Sequence, residues 1–142
     1  MSIKIGQASL GETGGRNQQP GTQTGRELNI SNWYNGRWLG VLRYKSRKKA
    51  ERAAQTCEAA IKNRNIGYDM DNRNTAYEAA RAVGWDVSRI AKPVETDCSA
   101  LMMLCAVAAG CASVEALYRR QGNSCTTYCM LHDWPATGDF VL

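Results

Sequence analysis

The stretch that decides the fold is "ETDCSALMMLCAVAAG", residues 95–110, which opens the most apolar part of the chain. Apolar residues and one glycine run without interruption over residues 100–112. Such a run is shorter than the roughly 20 residues that span a bilayer, so it predicts a buried core helix and no membrane insertion. Asp97 is a candidate N-cap. Pro93 disfavours helical geometry at the residue before it, Lys92. The stretch therefore predicts an extended approach and then a helix that opens at Cys98.

Helical patterns on both sides of this stretch predict further helices. Ser46 is a candidate N-cap for an alanine-rich amphipathic helix, and Gly67 is a candidate stop signal for it. A second helix is predicted over residues 71–84. Ser113 is predicted to cap a fourth helix, and a fifth is expected within "CTTYCMLHDW", residues 125–134.

Strand patterns are few and lie near the chain ends. "SIKIGQASL", residues 2–10, alternates weakly, and "TGDFVL", residues 137–142, predicts a strand that starts where the chain ends. A chain of 142 residues is long enough for one hydrophobic core. We therefore expect a single domain over 1–142, with a loop-rich segment over 1–40 and a helical core over 45–142.

The net charge and the composition limit the classes of binding partner that the sequence predicts. The net charge is +5 and the sequence pI is about 9.0. This charge is explained either by simple solubility or by attraction to an anionic partner such as nucleic acid, an anionic membrane or a bacterial wall polymer. The basic cluster "RYKSRKKAER", residues 43–52, is interpreted as a solvated helix face. The chain holds one phenylalanine and no interleaving of basic and aromatic residues, so we expect no nucleic-acid partner. Phosphate-binding glycine motifs are absent from the sequence, and no cofactor is predicted.

Two tryptophans stand in a polar surrounding. Trp33 and Trp38 lie in "NWYNGRWLGVLRY", residues 32–44. We expect these indoles to pin a loop to the core. Stacking on a sugar ring is the functional alternative.

Six cysteines are present, and the N-terminal residues carry no apolar segment typical of a secretory signal. We therefore expect synthesis in a reducing cytosol, where these thiols stay mostly reduced. A site of action outside the cell would require another exit route.

Cys98 has the setting of a candidate nucleophile. Free N–H groups and the dipole at a helix N-terminus stabilise a thiolate, and the small Ser99 leaves room for a carbonyl. The same N–H groups can form an oxyanion hole, in which one good donor contributes about 3–4 kcal/mol. Buried, inert thiols are favoured at three other positions: Cys57, Cys105 and Cys111. For Cys98 itself, the residues alone leave both a nucleophile and a buried thiol open.

A family resemblance extends this interpretation. "TDCSALM", residues 96–102, resembles the Asp-Cys-Ser-small-Leu nucleophile motif of the NlpC/P60 cysteine peptidases. The blocks "IGQASLGETG", "GTQTGRELNISNWY" and "IGYDMDNRNTAYEAARAVGWDVSRI" are similar to a phage-associated branch found in endolysins and prophage wall hydrolases. Together these blocks cover about residues 5–110. The resemblance implies a papain-like α+β domain. The helix and strand patterns of this chain predict that it is mostly helical, with the sheet largely missing or short.

The resemblance also implies an activity and roles for single residues. The domain would cleave amide bonds in the stem peptides of peptidoglycan. Cys98 would be the nucleophile, Asp97 its capping and orienting neighbour, and Ser99 a backbone donor to the oxyanion. Tyr68 matches a tyrosine placed near the nucleophile. The protein would be made in the bacterial cytoplasm and reach the wall after holin-type release or on a phage particle, and the resemblance leaves its oligomeric state open.

The chain departs from the family at the general base. In the family a histidine lies on a strand well downstream of the cysteine, typically after a glycine, whereas the single histidine here, His132, has a helical context. Three explanations stay open: a C-terminal truncation that removes the histidine-bearing strands, His132 acting as base beside Asp133 or Asp139, or a non-catalytic relative that only binds the wall or serves as a structural module.

A metal site is the remaining possibility near the C-terminus. Cys125, Cys129 and His132 are spaced i, i+4 and i+7, as on one helix face. Zinc pairs usually come as Cys-x₂-Cys with a second pair. The pattern therefore favours two apolar-facing thiols and a partly exposed imidazole, and no metal is predicted.

Overall fold

The computed structural model describes residues 2–11, 13–16 and 19–142. Within these ranges it holds five α-helices: α1 (Arg47–Lys62), α2 (Thr75–Ala82), α3 (Cys98–Ala108), α4 (Ala112–Arg120) and α5 (Thr127–His132). Two short 3₁₀ turns complete the helical part: Val87–Arg89 and Trp134–Thr137. Six short strands accompany them: β1 (Lys4–Ala8), β2 (Leu28–Asn32), β3 (Arg43–Tyr44), β4 (Ile66–Tyr68), β5 (Val94–Thr96) and β6 (Phe140–Val141).

The strands of the described chain pair in twos rather than in one continuous sheet. β1 pairs with β2 and β3 with β6, both antiparallel, while β4 and β5 are parallel. In the parallel pair Tyr68 lies opposite Thr96, which places β4 beside the start of α3. The result is a mixed α/β fold of five helices and small sheets, as expected for a mostly helical α+β domain. The papain-like arrangement stays a prediction.

Helix α3 is the centre of the core, as its sequence predicted. Leu101, Leu104 and Cys105 belong to a buried cluster shared with α1, while Met103 and Ala106 belong to a second cluster shared with α4. A helix that is apolar on all sides is stable only when other elements surround it. The apolar stretch therefore acts as the common wall of two cores. No helix in the described ranges is both long and apolar enough to cross a membrane.

Helix α1 begins as predicted and ends earlier than predicted. Ser46 Oγ accepts a hydrogen bond from the N–H of Lys49 at 3.3 Å, which confirms the N-cap. The helix stops at Lys62, so the prediction of Gly67 as its stop was wrong. Gly67 lies in β4, where an added Cβ would stand 2.8 Å from Glu95 Oε2. This glycine permits a close approach of β4 to a carboxylate and does not end a helix.

The starts of α2 and α4 also differ from the predictions. Residues 71–74 form turns because the buried carboxylate of Asp69 accepts hydrogen bonds from the N–H of Asp71 and the side chain of Asn72. Such local bonds compete with helix formation. α4 takes Cys111 as its N-cap residue, so Ser113 lies inside the helix and the predicted cap was wrong.

The N-terminal segment contains more structure than its loop-rich composition indicated. The predicted strand near the N-terminus is confirmed as β1, and β2, which was not predicted, pairs with it. The connection between them packs on the parallel strands: Gly21 N–H donates to Glu95 Oε1 at 2.7 Å. The predicted strand at residues 137–142 is confirmed as β6, whose Phe140 packs on Tyr44 with ring centroids 4.6 Å apart.

The two tryptophans of the N-terminal segment do not enter the core. Trp33 is 49% exposed and Trp38 is 47% exposed. The expectation that they pin a loop to the core was therefore wrong. Trp38 packs on the rings of Trp33 and Tyr34 instead, within a segment that runs from β2 to β3 without further helix or strand.

Candidate active site

Cys98 is the first residue of α3 and differs from the other cysteines in its exposure. Cys98 is exposed, whereas each of the other five is buried: Cys57, Cys105, Cys111, Cys125 and Cys129. Buried thiols of this kind behave as small apolar side chains. Cys98 is therefore the thiol that a substrate can reach.

Asp97 fixes the N-terminus at which this thiol sits. One oxygen, Oδ1, accepts the N–H of Ala100 at 2.7 Å and the hydroxyl of Ser99 at 3.0 Å. The backbone carbonyl of Asp97 accepts the N–H of Leu101 at 2.9 Å. Asp97 thus accepts the third and fourth N–H groups of α3. The N–H groups without such a partner are those of the first two residues, Cys98 and Ser99.

Arg73 holds the second oxygen of Asp97 from another part of the chain. Its guanidinium donates to Asp97 Oδ2 at 3.0 Å and to Ser124 Oγ at 2.7 Å. The Ser99 hydroxyl also lies 3.0 Å from the carbonyl of Cys125, so its single proton is shared between this carbonyl and Asp97 Oδ1. The segment that leads into α5 is thus fastened to the N-terminal end of α3 at two points.

Two backbone N–H groups lie at the helix tip beside the sulfur. The N–H groups of Cys98 and Ser99 are close enough to Cys98 Sγ that both lower the pKa of the thiol. Within the described chain neither N–H donates to a backbone carbonyl. These two groups can therefore donate to a carbonyl oxygen that approaches the sulfur, as the donors of an oxyanion hole do.

The net effect of the surroundings on the thiol is nevertheless to raise its pKa. Desolvation of the sulfur makes the largest contribution and the carboxylate of Asp97 the next, while the two N–H groups and Arg73 act in the opposite direction. The residue as a whole is exposed, but its sulfur is partly desolvated by its neighbours. Cys98 therefore rests as a thiol at neutral pH, and its reaction requires a group that accepts the proton.

Tyr68 lies within electrostatic range of the nucleophile. Burial raises the pKa of its hydroxyl most, and the negative charge of a Cys98 thiolate is the next cause. Arg16 acts on the same hydroxyl in the opposite direction. The backbone carbonyl of Arg16 accepts a hydrogen bond from the N–H of Met70 at 3.2 Å, which holds this part of the β1–β2 connection in place. Tyr68 is therefore close enough to Cys98 and to Arg16 for their charges to act on its hydroxyl, and its role at the site stays a prediction.

His132 lies apart from this arrangement. It is the last residue of α5, it is exposed, and its ring packs on Tyr128 with centroids 4.2 Å apart. In the described part of the chain no hydrogen bond, ion pair or ring contact joins His132 to Cys98. The two acids considered as its partners bond elsewhere: Asp133 accepts from Gln121 and Asp139 from Lys49.

The cysteines near the C-terminus face inward. Cys125 precedes α5, so the spacing of Cys125, Cys129 and His132 does not form one helix face. Both thiols are buried while the imidazole is exposed. Among the residues with described positions, no group of three ligating side chains is placed to hold a metal ion.

Arg73, Ser124 and Arg16 belong to the site but were not found by sequence reasoning. Arg73 meets Asp97 across 24 residues of chain and Ser124 across 51. No local pattern marks such a pairing. The buried Asp97 gives a partial signal, since a fully buried carboxylate requires a charged or hydrogen-bonded partner.

Comparison with known proteins gives one match. A family model described as an endolysin-like domain matches residues 5–142. No curated protein and no solved structure matches the chain. The matched range begins in β1, ends at Leu142 and includes every element of the candidate site.

Proposed function

This chain belongs to the endolysin-like domain family, and we propose that it is a cysteine-dependent hydrolase of bacterial peptidoglycan. The family indicates a role in phage lysis of the cell wall, with peptidoglycan as the target. The observation that carries the cysteine mechanism is the helix tip: the one exposed thiol of the chain lies at a helix N-terminus, and the first two N–H groups of that helix donate to no backbone carbonyl of the described residues.

The proposed reaction is acyl transfer through a thioester. Cys98 Sγ attacks the carbonyl carbon of an amide in a stem peptide, and the electron pair of the C=O bond moves to its oxygen. The N–H groups of Cys98 and Ser99 stabilise that oxyanion. Its collapse breaks the C–N bond, and the amine leaves with a proton. Water then hydrolyses the thioester, which yields a carboxylate and restores the thiol.

The proton of the thiol is the demanding part of this scheme. Because the pKa of Cys98 is raised, a general base must remove the proton as the sulfur attacks. His132 is the single imidazole of the chain, and a role for it as base requires α5 to move its ring from Tyr128 toward Cys98. Tyr68, a phenol with a raised pKa, is suited to donate a hydrogen bond to the oxyanion.

A second candidate function is a catalytically silent module that binds the wall. The raised pKa of Cys98, together with the separate position of His132, favours it. In either case the net charge of +5 supports attraction to anionic wall polymers. Access to the wall through a holin-type lesion or on a phage particle is part of this proposal.

The experiment is hydrolysis of purified peptidoglycan by the wild type, Cys98→Ala and Cys129→Ala. Cys129 is the matched control because it is a buried thiol. Free amino groups released by the enzyme are measured over time, and the products identify the bond. We expect Cys98→Ala to lose at least about 10³-fold in rate, while Cys129→Ala stays active.

Two results would count against the catalytic proposal. Equal release by the wild type and Cys98→Ala would remove Cys98 as the nucleophile. Sedimentation of all three proteins with insoluble peptidoglycan, without any release of amino groups, would establish the silent module instead.

A further inference from the structure

Three exposed aromatic side chains form a cluster on the segment between β2 and β3. Trp33, Tyr34 and Trp38, here called the aromatic turn, are each about half exposed. The ring of Trp38 lies 5.5 Å from that of Trp33 and 5.2 Å from that of Tyr34, measured between centroids. The rings are tilted by 35° and 46°, so Trp38 is the centre of a curved aromatic surface. Exposed apolar surface of this kind usually serves binding.

The local backbone is built to hold the central indole in place. Trp38 Nε1 donates a hydrogen bond to the carbonyl of Tyr34 at 3.2 Å and so closes the turn. Gly36 lies beneath the ring, where an added Cβ would stand 2.9 Å from Trp38 Cε2. The N–H of Trp33 donates to the carbonyl of Ile3 at 2.8 Å, which anchors the turn to the end of β1. These contacts order the rings and leave their outer surface open to solvent.

The surroundings of the aromatic turn are mixed: Leu39, which follows Trp38, is 88% exposed, and polar side chains lie within the turn itself. Asn35 and Arg37 are exposed within the same turn. Tryptophan, tyrosine and arginine are also enriched at protein interfaces, so the choice of a sugar as the occupant rests on the proposed peptidoglycan target. The faces of pyranose rings present C–H groups that pack on the electron-rich faces of aromatic rings. Amide and guanidinium groups beside the rings supply donors for N-acetyl carbonyls and sugar hydroxyls.

We propose that the aromatic turn is a stacking site for the N-acetylated amino-sugar rings of a peptidoglycan glycan strand. This inference rests on the proposed target, since peptidoglycan is the polymer that carries such rings. It assigns a second contact with the same polymer, separate from Cys98. The connection that follows β1 packs on β4 and β5 beside the nucleophile, whereas the aromatic turn leaves the opposite end of the β1–β2 pair, where Lys4 lies opposite Asn32.

Binding is measured in the Cys98→Ala protein so that no substrate is consumed. Peptide-free glycan strands, a chitin tetrasaccharide and released stem peptides are the three probes, each titrated by calorimetry and by tryptophan fluorescence. The expected result is binding of the two glycans and none of the stem peptides. Trp38→Ala is expected to weaken glycan binding about tenfold, as for the loss of a central aromatic anchor.

Two further variants test whether glycan binding depends on the arrangement of the rings in the aromatic turn and not on any exposed aromatic ring. Gly36→Ala keeps every aromatic ring but displaces the indole of Trp38, and it should also weaken glycan binding. Tyr128→Ala removes an aromatic ring that is 70% exposed and lies outside the aromatic turn, so it should bind as the parent does. Circular dichroism checks that each variant is folded, and Tyr34→Ala replaces Trp38→Ala if that variant unfolds.

Several results would overturn the assignment. These are equal glycan affinity with and without Trp38, binding of stem peptides alone, and a wild-type dimer that dissociates on Trp38→Ala without any glycan binding. This test and the test of the catalytic proposal can fail independently. If hydrolysis survives Cys98→Ala, the assignment of Cys98 as the nucleophile is wrong, but the glycan titrations still show whether the aromatic turn binds sugar rings.

Discussion

The N-terminal end of α3, which carries Cys98, and the aromatic turn are held in different ways. At the end of α3 Asp97 is bound by Arg73 across 24 residues of chain, and Ser99 by Cys125 across 26. In the aromatic turn Trp38 bonds to Tyr34, four residues earlier. The first arrangement exists only when distant segments have folded together, whereas the second is largely local. Substitutions remote from Cys98 should therefore disturb its site, while few outside the turn should disturb the aromatic rings.

The largest effect is expected when the distant partner of Asp97 is removed. Arg73→Met leaves the carboxylate of Asp97, which is 3% exposed, without its cation. Removal of one member of a buried pair costs about 3–5 kcal/mol, and we expect about 3 kcal/mol because Arg73 is itself partly exposed. Urea denaturation measures this loss.

The control for that substitution is Arg47→Met. Arg47 also pairs with a carboxylate, that of Glu51 at 2.8 Å, but both side chains are largely exposed. Its removal should change the free energy of unfolding by less than about 1 kcal/mol. Similar losses in the two variants would show that the fastening of Asp97 is not special.

A smaller loss is expected for Ser99→Ala. The hydroxyl bonds to Asp97 and to the buried carbonyl of Cys125, so its removal should cost about 1–2 kcal/mol. Hydrolysis should persist, because the proposed oxyanion donor is the backbone N–H of residue 99. Thiol-dependent hydrolysis lost in a folded Ser99→Ala protein would contradict that role. Thr56→Ala, which removes an exposed hydroxyl on α1, is the control and should change stability by less than about 0.5 kcal/mol.

The pH dependence of Cys98 alkylation should show the charges around the sulfur. Since the pKa of Cys98 is raised, its rate with iodoacetamide should rise through a midpoint above that of a free cysteine. Asp97→Asn removes a negative charge and should move the midpoint to lower pH, while Arg73→Met should move it to higher pH. Shifts in the reverse directions would refute this account of the electrostatics.

The smallest effect is expected in the aromatic turn. Trp33→Ala removes a half-exposed ring that packs on Trp38, so the free energy of unfolding should change by about 0.5 kcal/mol or less. Urea denaturation of Trp33→Ala and Arg73→Met under the same conditions compares the two losses. A loss of several kcal/mol would mean that the turn supports the core after all.

Local sequence signals predicted the parts of this molecule that depend on neighbours in the chain. The apolar run after Asp97 was sufficient for α3, and Ser46 for the start of α1, because capping and burial periodicity act within one or two turns. β4 and β5 are three residues each, too short for an alternating pattern. Gly67 was misinterpreted because a glycine needed for close approach looks the same in sequence as one that ends a helix.

The residues of the candidate site also differ in whether a local sequence signal marks them. Cys98 and Asp97 were identified from a short motif, and Tyr68 from a resemblance. Arg73 was missed because its pairing is set by the fold and not by spacing. The burial of Trp33 and Trp38 was predicted wrongly for a related reason: composition does not say which side of a loop faces the core.

The most direct test of the central claim is to follow activity while Cys98 is alkylated. The protein is treated with increasing iodoacetamide, the modified cysteines are mapped by mass spectrometry, and peptidoglycan hydrolysis is assayed on the same samples. The account predicts that activity falls in proportion to modification of Cys98 while the five buried thiols stay unmodified. Full hydrolytic activity in protein whose Cys98 is completely alkylated would contradict it.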